Sequence, residues 1–179
     1  MIKAEFFIQI IGSAFFLILN IYLSKEGFSD AEIANFISYR FLAVMLLAFP
    51  LGFYIKGKPL KPFFVIGSLG VPIIAILLIF AVKYAWYKYL TILFIIWGIV
   101  FTLFQVSSLP YIMRNTSLKN QSHAISLNYA ISSFSAIFSG LFIFFSSKFI
   151  KNIDEGNILL FISFIGVFGI YYLAKIKTD

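Results

Sequence analysis

Residues 90–111 read LTILFIIWGIVFTLFQVSSLPY, a run with no Asp, Glu, Lys or Arg. About 20 apolar residues in a helix cross the hydrocarbon core of a bilayer, and this run has that length. A transmembrane strand would instead show about ten residues of alternating polarity, and neither residues 90–100 nor residues 161–170 alternate. A β-barrel is excluded. In hydrocarbon the backbone N–H and C=O groups must be satisfied within the segment, so the run reads as a helix.

Working outward, five more apolar runs of spanning length flank it, at 6–23, 33–55, 63–82, 124–145 and 158–173, with Arg40 the one charged residue among them. The connections between them are short and carry most of the charge, so no linker or soluble domain intervenes. The expected fold is an all-α integral membrane protein, with six transmembrane helices bundled in a single domain over residues 1–179. Composition agrees. Of 179 residues, 61% are hydrophobic and 12% charged, against about 45–50% and about 25% in an ordinary soluble domain. A water-facing globule could not hide 24 Phe and 10 Tyr, so the lipid bilayer is the expected partner. The first run is followed by Ser24, Lys25 and Glu26 rather than by a small-residue cleavage site, so it is expected to stay in the mature chain.

A formal charge of +7 in a soluble protein would suggest nucleic acid. Here the basic residues sit between apolar runs, where they set orientation instead, and no nucleic-acid partner is expected. With the N-terminus inside, Lys3, Lys56, Lys58, Lys61, Arg114, Lys119, Lys175 and Lys177 are cytoplasmic. Lys25, Lys83, Lys88, Lys148 and Lys151 are then external. Eight against five puts both termini in the cytoplasm, and the expected location is a bacterial inner (plasma) membrane. The cluster Tyr84, Trp86, Tyr87 and Tyr89 fits an interfacial aromatic belt.

Polar residues inside spans are costly, so their distribution points to function. They gather in the first span (Gln9, Ser13, Asn20), the second (Asn35, Ser38, Arg40), the fourth (Thr102, Gln105, Ser107, Ser108) and the fifth (Asn128, Ser132, Ser135, Ser139). The third and sixth have little beyond Ser68 and Ser163, and are expected to face mostly lipid. On the fifth span the spacing of four, three and four puts Asn128, Ser132, Ser135 and Ser139 on one helical face, which serves either close helix packing or a cavity wall. Trp97, Phe101, Gln105 and Ser108 form a comparable face on the fourth, either core or pocket. Arg40 lies about two turns inside the second span. It either snorkels to the surface or offers a cation to an anionic or carbonyl-bearing solute.

The acids are read as lying near span ends or in loops, so no intramembrane carboxylate is expected to pair with Arg40 or to support proton coupling. His123, the single histidine, is read as capping or interfacial. No cysteine is present, and there is no Gly-x-Ser-x-Gly elbow, His-Glu-x-x-His motif or intramembrane aspartate pair. An enzyme is not expected, nor a metal or cofactor.

Gly27-Phe28-Ser29-Asp30-Ala31-Glu32-Ile33 leads into the second span, and Phe49-Pro50-Leu51-Gly52 precedes a basic turn ending at Lys61. Pro110-Tyr111-Ile112-Met113-Arg114 closes the fourth span, and His123-Ala124-Ile125-Ser126-Leu127-Asn128 opens the fifth. As a pattern over the whole chain these features resemble the N-terminal half of a major facilitator superfamily transporter. The family's loop between helices two and three reads Gly-x-x-x-Asp-(Arg/Lys)-x-Gly-(Arg/Lys)-(Arg/Lys). Gly52 and Lys61 match it, while Lys56 stands for the acid, Gly57 for the next base and Pro59 for the second glycine. The resemblance implies a six-helix half built as a 3+3 repeat, with helices three and six outermost. It also implies a cavity reached by Asn20, Arg40, Gln105 and Asn128, to which the helical faces of the fourth and fifth spans add Trp97, Ser132 and Ser135 as candidates.

The expected function is transport of a small polar or anionic solute by alternating access, as a homodimer or with a second six-helix half. The alternatives are a non-transporting membrane subunit or scaffold, or a fragment of a twelve-helix transporter.

Overall fold

A computed structural model describes residues 2–150 and 153–174; Lys151, Lys175 and Lys177 of the charge count lie outside them. Among the described residues there are six α-helices and no strand: α1 (Ile2–Lys25), α2 (Asp30–Tyr54), α3 (Lys61–Lys83), α4 (Leu90–Asn115), α5 (Gln121–Phe149) and α6 (Glu155–Ala174). All six are long and apolar enough to cross a membrane. Their ends pass the apolar runs, because a helix continues through polar residues until a cap stops it.

The caps are local and readable. After α1, Phe28 N–H donates to Leu23 O (3.1 Å) and Gly27 N–H to Ser24 O (3.2 Å), with Gly27 at φ +92°. This is a Schellman ending, which places a left-handed residue where glycine is favoured. Two residues later Ser29 and Glu32 form a reciprocal capping box that starts α2. The end of α3 repeats the Schellman pattern with Trp86 bonded to Ala81 O (2.7 Å) and Ala85 to Val82 O (3.1 Å), but here the left-handed residue is an alanine at φ +56°. At the other end of the bundle Arg114, in the last turn of α4, donates to Ile55 O (3.2 Å) and Lys58 O (2.5 Å). Its cation thereby meets the carbonyl end of α2. Lys25 and Glu155 form an ion pair joining the end of α1 to the start of α6.

α1 packs on α5 and α6, α4 packs on α2 and α3, and α3 meets α6. Their shared core is aromatic: Phe15, Tyr22, Phe64, Phe94, Trp97 and Phe104 are fully buried. In the most apolar window of each helix, 50–56% of residues are buried in α1, α3 and α4, 39% in α6, 17% in α5 and 11% in α2. The polarity map expected α3 and α6 to be the outer helices. Within this chain α2 and α5 are the least covered, and α3 is half-buried. Side-chain size explains the difference. A Cβ on Gly67 would sit 2.5 Å from Phe104 N and 2.8 Å from Val100 O, so α3 meets the backbone of α4 directly.

Candidate functional site

The structure sorts the seven candidate residues into two pockets and one packing seam. The first pocket, about 160 Å³, opens between α1, α2 and α4 and is lined by Phe15, Asn20, Ile37, Arg40, Phe94 and Trp97 among others. Arg40 is placed there by close backbone contact. Gly98 of α4 lies so near Arg40 O that an added Cβ would overlap it, and the same Cβ would be 3.1 Å from Ala43 Cβ. One residue before Gly98, Trp97 presents its ring to the guanidinium, with Cζ of Arg40 4.2 Å from the ring centroid and 5.5 Å from that of Phe101. Phe15 packs edge-on against Trp97, at 4.8 Å between centroids.

Such cation–π contact is worth up to about 2 kcal/mol when desolvated. It supplies no hydrogen-bond acceptor, so it stabilises the charge while leaving its donors free. Arg40 Nε and Trp97 Nε1 are both buried without an acceptor, and among the described residues no carboxylate pairs with Arg40. Two orphan donors, one of them cationic, give the pocket a demand for an acceptor-rich or anionic group. Asn20, exposed at its edge, adds a polar side chain.

The second pocket, about 310 Å³, lies between α1, α4 and α5 and is lined by Glu5, Gln9, Gln105, Ser108, Asn128 and Ser132 with Val106, Leu109 and Tyr129. Three of the expected residues, Gln105, Asn128 and Ser132, meet here rather than beside Arg40. Glu5 lies in the first turn of α1, near a span end as expected of the acids, yet it is buried. It is 2% exposed, inside α1, and accepts hydrogen bonds from Gln9 Nε2 and Ser108 Oγ, each at 3.0 Å. Hydropathy started the first span at Phe6 and so left Glu5 outside it. The i, i+4 pairing of Glu5 with Gln9 was the signal that could have found it.

Ser135 belongs to neither pocket. It is fully buried, and its hydroxyl donates to Ile131 O (2.8 Å) and faces Phe6 O at 3.3 Å across the α1–α5 contact. Ser139 repeats this one turn on, with Ser135 O at 2.8 Å and Ile10 O at 3.1 Å. The serine column therefore divides: its buried members pack helices, and Ser132 lines a cavity. His123 is exposed at the start of α5, and among the described residues no three His, Asp or Glu side chains converge as metal ligands.

No family model, no curated protein and no solved structure matches the chain.

Proposed function

We propose that the chain is one six-helix half of a membrane transporter of the major facilitator type, moving a small polar or anionic solute by alternating access. It acts as a homodimer or with a second six-helix half, in a bacterial inner (plasma) membrane with both termini cytoplasmic. The observation that carries this reading is Arg40: a cation held over Trp97 with an orphan buried donor, inside an apolar helix, at the edge of a pocket. A charged group there is costly unless it serves a solute or a partner.

Three features support the half-transporter form. The first pocket is smaller than the roughly 300–1,000 Å³ of a complete ligand site, so it suits the charged end of a solute whose remainder lies against another half. The least buried helices, α2 and α5, leave a face for that half to cover. The pairing of α1 with α5 and α6, against α4 with α2 and α3, is what a 3+3 repeat about an axis in the membrane plane would produce.

The test is uptake into proteoliposomes of small carboxylates and inorganic phosphate. Arg40→Ala is expected to abolish uptake while the protein still inserts and folds, since a charge-assisted hydrogen bond of about 1.5–3 kcal/mol corresponds to about a 10- to 100-fold loss of affinity. Arg40→Lys keeps the charge but not the flat stack on Trp97, and is expected to retain only part of the uptake. Undiminished uptake in Arg40→Ala removes Arg40 from the mechanism.

A scaffold reading draws on Asn35, Ser38 and Ser133, polar groups exposed on α2 and α5. It predicts co-purification with a distinct membrane protein and no flux from the isolated chain.

A further inference from the structure

Glu5 is buried in the first turn of α1. Its two carboxyl oxygens accept from Gln9 and Ser108, and among the described residues no Lys or Arg pairs with it. Asn128, 7% exposed, lines the same pocket and has its Oδ1 buried with no donor. The polarity is the reverse of the Arg40 pocket: there the unmet groups are donors, here they are a carboxyl group and an amide oxygen. An anion is repelled by Glu5, and a ligand offering only acceptors leaves Asn128 unmet. What satisfies both brings positive charge or N–H donors.

We propose that the Glu5 pocket is a binding site for a singly charged cation, seated between the Glu5 carboxylate and the Asn128 amide oxygen. Ser108, Ser132 and Gln105 supply further oxygen atoms around it, and oxygen is the donor that hard cations prefer. A single carboxylate balances a single charge, whereas divalent sites gather several carboxylates. The same chemistry fits a sodium ion or the primary ammonium group of a solute, which presents equal charge with three donors. The pocket's side chains come from α1, α4 and α5, so an occupant ties three helices together. This site is separate from Arg40 and stands whether or not the chain carries solute.

The experiment is thermal unfolding of the purified full chain in mild detergent, followed by intrinsic fluorescence. Sodium chloride is titrated against choline chloride at constant ionic strength, and methylammonium chloride is titrated in the same way. Expected is a saturable rise in the midpoint with one of the two cations and none with choline. Glu5→Gln, which keeps the shape and one of the two accepted hydrogen bonds but not the charge, is expected to weaken the response by about tenfold or more, since loss of even an outer partner of a metal ligand costs about 10- to 100-fold. Asn128→Ala is expected to weaken it as well, and covers the case in which Glu5→Gln does not fold. A sodium response identifies an inorganic ion site, and a methylammonium response identifies an amine-bearing ligand. No saturable response to either, or an equal response in Glu5→Gln and Asn128→Ala, overturns the proposal. Uptake plays no part in this readout, so the cation site and the transport reading fail or stand separately.

Discussion

Gly98→Ala adds one methyl group at the point where α4 touches the backbone of α2. That Cβ would overlap Arg40 O and sit 3.3 Å from Arg40 C and 3.1 Å from Ala43 Cβ. A carbonyl cannot rotate away as a side-chain tip can, so relief requires α2 to move off α4. Overpacking of this kind costs about 1–3 kcal/mol, and a backbone clash belongs at the upper end. Replacing glycine by alanine within a helix returns about 1 kcal/mol of propensity. The net expectation is a loss of about 2 kcal/mol. The displacement also lifts the Arg40 guanidinium from Trp97, 4.2 Å below it. The chain has 2 Trp, so Trp86→Phe leaves Trp97 as the sole reporter. The assay is SDS-titration unfolding in mixed micelles, with the emission of Trp97 recorded before unfolding. Stability within about 0.5 kcal/mol of the parent together with unshifted emission would refute the claim that close approach at Gly98 sets Arg40 on Trp97.

The two Schellman endings should respond with opposite sign. Gly27→Ala forces a side chain into φ +92° and is expected to destabilise by about 1–2 kcal/mol, while Ala85→Gly relieves φ +56° and is expected to stabilise by up to about 1 kcal/mol; unfolding midpoints of both variants check this. In the α1–α5 seam, Ser139→Ala removes the hydroxyl that faces Ile10 O and is expected to cost about 0.6 kcal/mol. Ser139→Leu at this fully buried position is expected to cost more, about 1–3 kcal/mol. Equal stability of Ser139→Leu and its parent in the same micelle titration would show that α5 does not pack tightly there.

The helices were legible because length and continuous apolarity are properties of a single segment. Residues 90–111 predict nearly all of α4, and 63–82 nearly all of α3. Neighbour relations were not legible. When both the buried and the exposed faces of a helix are apolar, hydrophobicity no longer marks which side is inside, and small residues decide contact instead. Hence α3, poor in polar residues, could be read as an outer helix, although Gly67 brings it against the backbone of α4. The candidate site was legible in part. Arg40 and Trp97 were singled out separately, one as a cation within a span and the other from an aromatic-polar face. Their stacking depends on Gly98, which no pattern on either helix alone reveals. Glu5 escaped because it lies one residue outside an apolar run, whereas Ser135 was grouped with Asn128 and Ser132 by a spacing that says which residues share a face and not what that face meets.

The seam between α1 and α5 also bears on the order of assembly. Ser135 and Ser139 meet Phe6 O and Ile10 O across a separation of 129 residues. At a synthesis rate of about 5–20 residues per second, α1 emerges roughly 6–26 s before these partners exist. α4 can pair with α2 and with α3 during that interval, since neither contact involves α5 or α6. Made before the other five, α1 is thus among the last of the six to be completed. Through those seconds it carries Glu5 without the full wall of its pocket, and this makes α1 the segment most in need of shelter by the insertion machinery.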